Sequence, residues 1–289
     1  MQTQSNHARL TRPLALTVAV SVCSAAAWAV AAGGIPNLLV GSDSNSVSNP
    51  FIQPVDPAFS GGGRDQTLQF GDILSATDAP SLQIGRLGTD ILMGGTEDDV
   101  LVGGTEHFNP SNRDRAFGGA GEDVFLWSPG DGSDFFQGGP GIDAVVFGLM
   151  GEIQNNQLVF QVTNDQQAGD VFIDPSTGLP IVDVTNSPGF CQVIDDSSSP
   201  TSAAELDALG LDHLVQFVIR SIADDFANGV QDTDNGLRVT LHLDDVEILV
   251  CTDRNGGVIE TFNLTVSPPQ LIPFAAAVDR IPSLGQIVQ

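Results

Sequence analysis

Residues 85–146 read GRLGTDILM (85–93), GGTEDDVLV (94–102), GGTEHFNPSNRDRAF (103–117), GGAGEDVFL (118–126), then WS, PGDGSDFFQ (129–137) and GGPGIDAVV (138–146). Six units of nine residues follow one another, and the third is lengthened by six residues. Self-similarity at a fixed short period is the signature of a repeat architecture, in which each unit is one small structural element. This stretch therefore decides how the chain is expected to fold.

The composition of each unit has a physical explanation. Paired glycines allow the tight, left-handed backbone of a turn. An aspartate in the sixth place directs hard oxygen ligands back into that turn. The last three residues alternate with period two, as in a short strand whose eighth-place side chain faces inward. The eighth places are apolar: Leu92, Leu101, Ala116, Phe125, Phe136 and Val145. One unit cannot bury its own core, so the units must stack.

The units resemble the RTX, or haemolysin-type, nonapeptide Gly-Gly-x-Gly-x-Asp-x-(apolar)-x, over about 60 residues. The resemblance implies a parallel β-roll in which calcium ions sit between stacked turns on each edge. The sixth-place aspartates would be the metal ligands. Asp90, Asp114 and Asp134 would line one edge, and Asp99, Asp123 and Asp143 would line the other. The resemblance implies Ca2+ as the cofactor, and since three turns on an edge leave two gaps, it implies up to about four ions.

Several features depart from this family pattern. Glu97 and Glu106 replace the fourth-place glycine in two units, and the six-residue insertion, around 107–113, interrupts one edge. A glycine-rich roll that needs no metal is the alternative. This alternative is disfavoured because six aspartates at the same place of the repeat would repel one another without a cation.

Charge excludes some classes of partner. The chain has 36 acidic and 10 basic residues, for a net charge of −26. Such a chain is not expected to bind nucleic acid, whose phosphates require Lys and Arg, or to dock on anionic lipid. The charge is consistent with divalent cations as partners, and equally with a merely soluble acidic protein.

The N-terminus has the pattern of an export signal. Arg9 and Arg12 precede an uncharged stretch from Leu14 to Ala32, with a small-x-small cleavage site at Ala29-Val30-Ala31. We expect cleavage and an extracellular, cell-surface or periplasmic location, with no membrane span in the mature chain. An uncleaved anchor is the alternative, since the stretch is long enough to span a bilayer.

Cleavage would leave two cysteines, Cys191 and Cys251, which in an oxidising compartment are expected to form a disulfide. Two buried free thiols are the alternative. Because both residues lie after the repeat, the bridge and calcium are expected to act separately.

Residues beyond the repeat indicate a second region. Strand-like segments include 237–243, which alternates cleanly, and a hairpin is predicted at Asn255-Gly256-Gly257. A mostly antiparallel β domain is predicted here, or else an irregular extension of the roll. The predicted organisation is a signal peptide (1–31), a linker (32–65), the β-roll (66–148), a β-rich domain (149–265) and a Pro-rich tail (266–289). The predicted fold class is all-β.

No catalytic centre is recognisable in the sequence. The chain has no His-Glu-x-x-His motif, no Gly-x-Ser-x-Gly motif and no lysine for a phosphate-binding loop. We therefore expect a calcium-binding protein that is not an enzyme and has a structural or binding role. Its expected partners are cell-surface or extracellular matrix components. The alternative is a secreted hydrolase with an unrecognised carboxylate site, for example Asp244, Asp245 and Glu247.

Overall fold

A computed structural model describes most of the repeat and most of the C-terminal half of the chain. The described residues are 37–41, 71–85, 89–104, 113–128, 132–148, 152–154, 157–159, 171–173, 180–182, 189–219, 237–253 and 256–288. The expected signal peptide (1–31), most of the linker and most of the insertion around 107–113 lie outside these residues.

The described residues form nineteen short strands and three short helices. The strands of the first half are β1 (Asn37–Val40), β2 (Ile73–Ser75), β3 (Ser81–Ile84), β4 (Ile91–Gly95), β5 (Val100–Val102), β6 (Arg115–Gly119), β7 (Val124–Trp127), β8 (Phe135–Gln137) and β9 (Ala144–Phe147). The later strands are β10 (Glu152–Gln154), β11 (Gln157–Val159), β12 (Val171–Ile173), β13 (Pro180–Val182), β14 (Gln192–Ile194), β15 (His213–Ile219), β16 (Leu237–Asp244), β17 (Ile248–Thr252), β18 (Val258–Asn263) and β19 (Gln270–Leu271). The helices are α1 (Ser202–Leu209), α2 (Phe274–Val278) and α3 (Leu284–Ile287).

Most strands belong to two mixed sheets. Sheet A has the order β1-β3-β5-β7-β9-β17-β18-β19, and sheet B has the order β14-β15-β16-β8-β6-β4-β2. Within the described ranges, β10 pairs antiparallel with β11 and β12 with β13, in two separate two-stranded sheets. The prediction of a mostly β protein is confirmed.

Strands β1 to β9 alternate between the two sheets, and every neighbouring pair among them is parallel. The register matches repeat to repeat, because Ala116 lies opposite Leu92 on one side and opposite Phe136 on the other. In sheet A, Phe125 lies between Leu101 and Val145 in the same way. Strand β1 falls within the stretch expected to be a linker, and it pairs with β3.

The core between the sheets is built from the eighth-place residues. All six are fully buried, at 0% exposure, and they belong to one apolar cluster. Trp127 and Phe147 extend this cluster and stack with their ring centroids 4.5 Å apart. This outcome confirms the inward-facing positions predicted from the period-two pattern.

A second apolar cluster lies on the opposite face of sheet A. Its strand residues alternate with those of the first cluster, as in β7, where Val124 and Leu126 face away from Phe125 and Trp127. The chain's C-terminal segment packs on this face through the buried residues Ala277, Ile281, Leu284, Ile287 and Val288. The Pro-rich tail of the sequence is therefore a folded layer in the structure.

The later strands extend the sheets of the repeat. Strand β16 pairs in parallel with β8, and β17 pairs in parallel with β9. Beyond these junctions the pairing is antiparallel, from β14 through β16 in sheet B and from β17 through β19 in sheet A. Strands β17 and β18 pair antiparallel, as predicted for a hairpin at 255–257, and residue 255 lies outside the described residues. Cys191 forms a disulfide with Cys251 on β17. No helix in the described ranges has the length and apolar character needed to cross a membrane.

Candidate metal centre

The structure buries the six sixth-place aspartates. Each has a relative exposure of at most 1%: Asp90, Asp99, Asp114, Asp123, Asp134 and Asp143. Carboxylates are almost never fully buried unless they are paired or bind a metal, since an isolated charge loses its hydration. Their burial therefore makes these six aspartates the candidate metal ligands.

One edge of the repeat carries a ladder of hydrogen bonds between these residues. The backbone N–H of Asp90 donates to Oδ1 of Asp114 at 2.6 Å. The N–H of Asp114 donates in turn to Oδ1 of Asp134 at 2.8 Å. The three residues expected to share an edge are thus adjacent rungs, and we call this arrangement the first ladder.

The other edge has the same arrangement, which we call the second ladder. The N–H of Asp99 donates to Oδ1 of Asp123 at 2.8 Å, and the N–H of Asp123 donates to Oδ1 of Asp143 at 2.9 Å. Each turn therefore uses one carboxylate oxygen to hold the preceding turn of its edge. This hydrogen bond accounts for one oxygen of each carboxylate.

The second oxygen differs between rungs of the second ladder. Oδ2 of Asp99 accepts a hydrogen bond from the N–H of Gly95 at 2.8 Å. Oδ2 of Asp123 and Oδ2 of Asp143 are buried and accept no hydrogen bond from the described residues. A buried oxygen that carries negative charge and has no donor is costly, so each of these carboxylates must either bind a proton or have a cation close by.

Carbonyl oxygens lie beside these carboxylate oxygens. A Cβ added at Gly118 would lie 2.7 Å from the carbonyl oxygen of Gly138 and would collide with Oδ2 of Asp123. The first place therefore requires glycine, because one oxygen from each of two stacked turns lies where a Cβ would collide with it. Carboxylate and backbone carbonyl oxygens together are the ligand set that Ca2+ prefers.

Without a cation, the second ladder holds its protons strongly. The pKa of Asp123 is raised to about 7, mainly by burial. The hydrogen bond from the Asp99 backbone opposes this rise, and the neighbouring carboxylates of Asp99 and Asp98 add to it. Burial likewise raises the pKa of Asp143 to about 8, assisted by Asp123 and Glu247. The ionised ladder is thus electrostatically unfavourable on its own.

Two ladder residues were not predicted from the sequence. The N–H of Asp72 donates to Oδ1 of Asp90 and so begins the first ladder, and Asp72 is itself only 8% exposed. The carboxylate of Glu247 accepts the N–H of Asp143 at 2.7 Å and so ends the second. The sequence does contain a signal for both residues. Asp72-Ile-Leu-Ser and Glu247-Ile-Leu-Val have the same acidic-Ile-Leu order as Asp90-Ile-Leu-Met of the repeat, but they lack the paired glycines before it. At the start of the second ladder, Ser81 occupies the corresponding place and donates its N–H to Asp99.

A separate group of carboxylates lies at the surface. Ligand atoms of Asp212, Asp244 and Asp245 all lie within 4.8 Å of one another. Asp212 also accepts the N–H of Asp245 at 3.0 Å, and Asp244 accepts a hydrogen bond from the side chain of Gln137 at 2.6 Å. Of the carboxylates considered for a hydrolase, Asp244 and Asp245 are in this group, whereas Glu247 contacts the Asp143 amide.

Comparison with known proteins gives no assignment: no family model, no curated protein and no solved structure matches the chain. The function is therefore inferred from the geometry and chemistry of the ladders.

Proposed function

We propose that this chain is an exported calcium-binding protein of the RTX type, in which calcium ions bind along both ladders and fold the repeat. Its role would be structural or adhesive, at a cell surface or in an extracellular matrix. The observation that carries the proposal is the pair of buried oxygens, Oδ2 of Asp123 and Oδ2 of Asp143, which accept no hydrogen bond from the described residues.

The energetics favour a cation over a metal-free fold. Carboxylates stacked along one edge repel one another, and burial strengthens that repulsion. A divalent cation between turns would convert the same charges into an attraction. Since the ladder atoms are carboxylate and carbonyl oxygens, a hard cation with flexible coordination is the best match. Magnesium requires a tighter octahedron and gives up water reluctantly.

Two further features support an extracellular role. The disulfide between Cys191 and Cys251 is of a kind that persists in oxidising compartments. The net charge of −26 is compatible with millimolar calcium outside the cell, which would offset self-repulsion. Surface or matrix components are accordingly the proposed partners.

The proposal is tested by melting the mature, disulfide-bonded protein with and without calcium. Because binding to sites absent from the unfolded chain adds to folding free energy, calcium at a hundred times its Kd adds about 2.7 kcal/mol per site. We expect a large rise in Tm and a gain of strand signal by circular dichroism, with little effect from magnesium. Identical spectra and melting points in calcium and in chelator would refute the proposal.

A matched pair of variants ties the effect to the ladder. Asp123→Asn keeps an oxygen to accept the Asp99 N–H but removes the charge, so the calcium-induced rise in Tm should shrink markedly. Asp207→Asn, at an exposed position on α1, should retain the full rise. Equal calcium responses in the two variants would show that Asp123 is not a ligand.

A further inference from the structure

The turn formed by residues 244–247, between β16 and β17, continues the stacking of the second ladder although it lies a hundred residues beyond the repeat. Leu249 follows this turn and lies opposite Val145, the eighth-place residue of the last unit. It is fully buried in the same cluster between the sheets. Counting back from Leu249 as an eighth place puts Glu247 in the sixth, where the repeat has aspartate.

The hydrogen bond of Glu247 reproduces the ladder contact. The N–H of Asp143 donates to Oε2 of Glu247 at 2.7 Å, just as the N–H of Asp123 donates to Oδ1 of Asp143 at 2.9 Å. Burial is again the main cause that raises the pKa of the Glu247 carboxyl. Glu247 therefore makes the hydrogen bond of a ladder aspartate, from a position that is half-buried where the ladder aspartates are fully buried.

The backbone of this turn also takes the place of a repeat turn. A Cβ at Gly118 would collide with Oδ2 of Asp123 and approach the carbonyl oxygen of Gly138. A Cβ at Gly138 would likewise collide with Oδ2 of Asp143 and with the carbonyl oxygen of Asp245. The Asp245 carbonyl thus stands where the first-place glycine carbonyl of a further unit would be.

The substitution of glutamate for aspartate has a geometric reason. In the repeat, the aspartate follows the first-place glycine by five positions, as Asp143 follows Gly138. Glu247 follows Asp245 by only two positions. In the shortened turn the chain reverses direction at Asp245, which has a left-handed φ of 50°. The extra methylene of Glu247 gives its carboxylate a longer reach back to the Asp143 amide.

We infer that the gap between the turn 138–143 and the turn 244–247 is a further calcium site, with Glu247 and Asp143 as carboxylate ligands and the Asp245 carbonyl as a neutral one. The inference rests on the proposed function. Oδ2 of Asp143, which is buried and accepts no hydrogen bond from the described residues, lies at this gap and supports both proposals. The support specific to this gap is the Glu247 hydrogen bond and the Asp245 carbonyl oxygen. The ion would join the repeat to β17 and so to the C-terminal region.

The test counts calcium ions bound to the mature protein by equilibrium dialysis and by calorimetric titration. Glu247→Gln keeps an acceptor for the Asp143 N–H but removes the charge, so a purely structural hydrogen bond would survive it. We expect this variant to bind one ion fewer than the wild type, or to bind one of its ions at least tenfold less tightly. Glu260→Gln, an exposed carboxylate on the neighbouring strand β18, is the control and should bind the wild-type number.

The outcomes of this test separate the two proposals. Wild-type protein that binds no calcium would overturn the proposed function. Wild-type protein that binds calcium while Glu247→Gln binds the same number with unchanged affinity would overturn only the junction site. If Glu247→Gln does not fold, hydrogen exchange on the wild type decides: calcium should slow exchange of the amides at 143 and 247–248 at least tenfold. No slowing there would overturn the inference.

Discussion

Asp143 shows how one side chain serves both the fold and the proposed site. Its Oδ1 accepts the N–H of Asp123, which holds two turns in register, while its Oδ2 accepts no hydrogen bond from the described residues. The sequence predicted this residue because it stands at the sixth place of a regular unit. The sequence did not predict that its own N–H would donate to Glu247, since no glycine pair marks that turn.

The pKa values of the second ladder predict how calcium-free protein responds to pH. The folded-state pKa of Asp123 is about 7 and that of Asp143 about 8, both above the ordinary value of 3.8. The folded state thus binds these protons more tightly than the unfolded state. Their contribution to stability is complete below pH 4 and is lost as the pH rises towards 8. Calcium-depleted protein should therefore melt at a lower temperature at pH 8 than at pH 5.5.

The same melts in saturating calcium provide the contrast. Calcium stabilises the ionised carboxylates, so the decline in Tm with rising pH should vanish or reverse. Asp143→Asn, which cannot titrate at this position, should show a shallower decline when depleted of calcium. A Tm of the depleted wild type that rises between pH 5.5 and pH 8 would contradict the assigned environment.

The C-terminal helices illustrate what the sequence could not predict at the scale of elements. Four prolines in 266–289 favour a tail, and α2 and α3 have only five and four residues. Isolated helices of that length are unstable in water, so no local sequence pattern predicts them. They form because the outer face of sheet A is apolar and their own buried residues cover it. The repeat strands, in contrast, are encoded locally by their period-two alternation.

Leu284 tests whether this layer stabilises the fold. It is fully buried on the outer face of sheet A, so Leu284→Ala removes buried methyl groups and leaves a cavity. We expect a loss of about 2–4 kcal/mol in the free energy of unfolding, measured with denaturant in calcium. Leu271→Ala is the control: Leu271 is 64% exposed, and the change should stay within about 0.5 kcal/mol. A similar small loss for Leu284→Ala would mean that the helices do not pack on the sheet in solution.

Considered as a whole, the molecule shares its sheets and its inner core between the repeat and the later strands. The sequence predicts the strand at 237–243 and its inward face, and Val239, Leu241 and Leu243 are indeed buried. Alternation, however, specifies a face and not a partner, so the parallel pairings of β16 with β8 and of β17 with β9 were not foreseeable. Those pairings bring Glu247 to the last rung of the second ladder.

This continuity changes what the disulfide is expected to do. The bridge from Cys191 to Cys251 is buried in the core between the sheets, and Cys251 lies opposite Phe147 of the repeat. Closing a loop of 60 residues is worth about 4 kcal/mol in the loop-entropy model. Because β17 carries Cys251 and directly follows Glu247, reduction should lower both the free energy of unfolding and the affinity for calcium.

The measurement is a calcium titration and a denaturant melt of the mature protein with and without a phosphine reductant. The double variant Cys191→Ala/Cys251→Ala, with and without the same reductant, isolates the effect of the bridge from that of the reagent. We expect the reduced wild type to lose up to about 4 kcal/mol and the double variant to be insensitive to the reductant. Calcium affinity should fall most at the junction site, since that site depends on the position of β17. If reduction loosens only the later strands and leaves every calcium affinity unchanged, the bridge and the ions act separately, as the sequence alone predicted. The shared core would then be too weak to couple them.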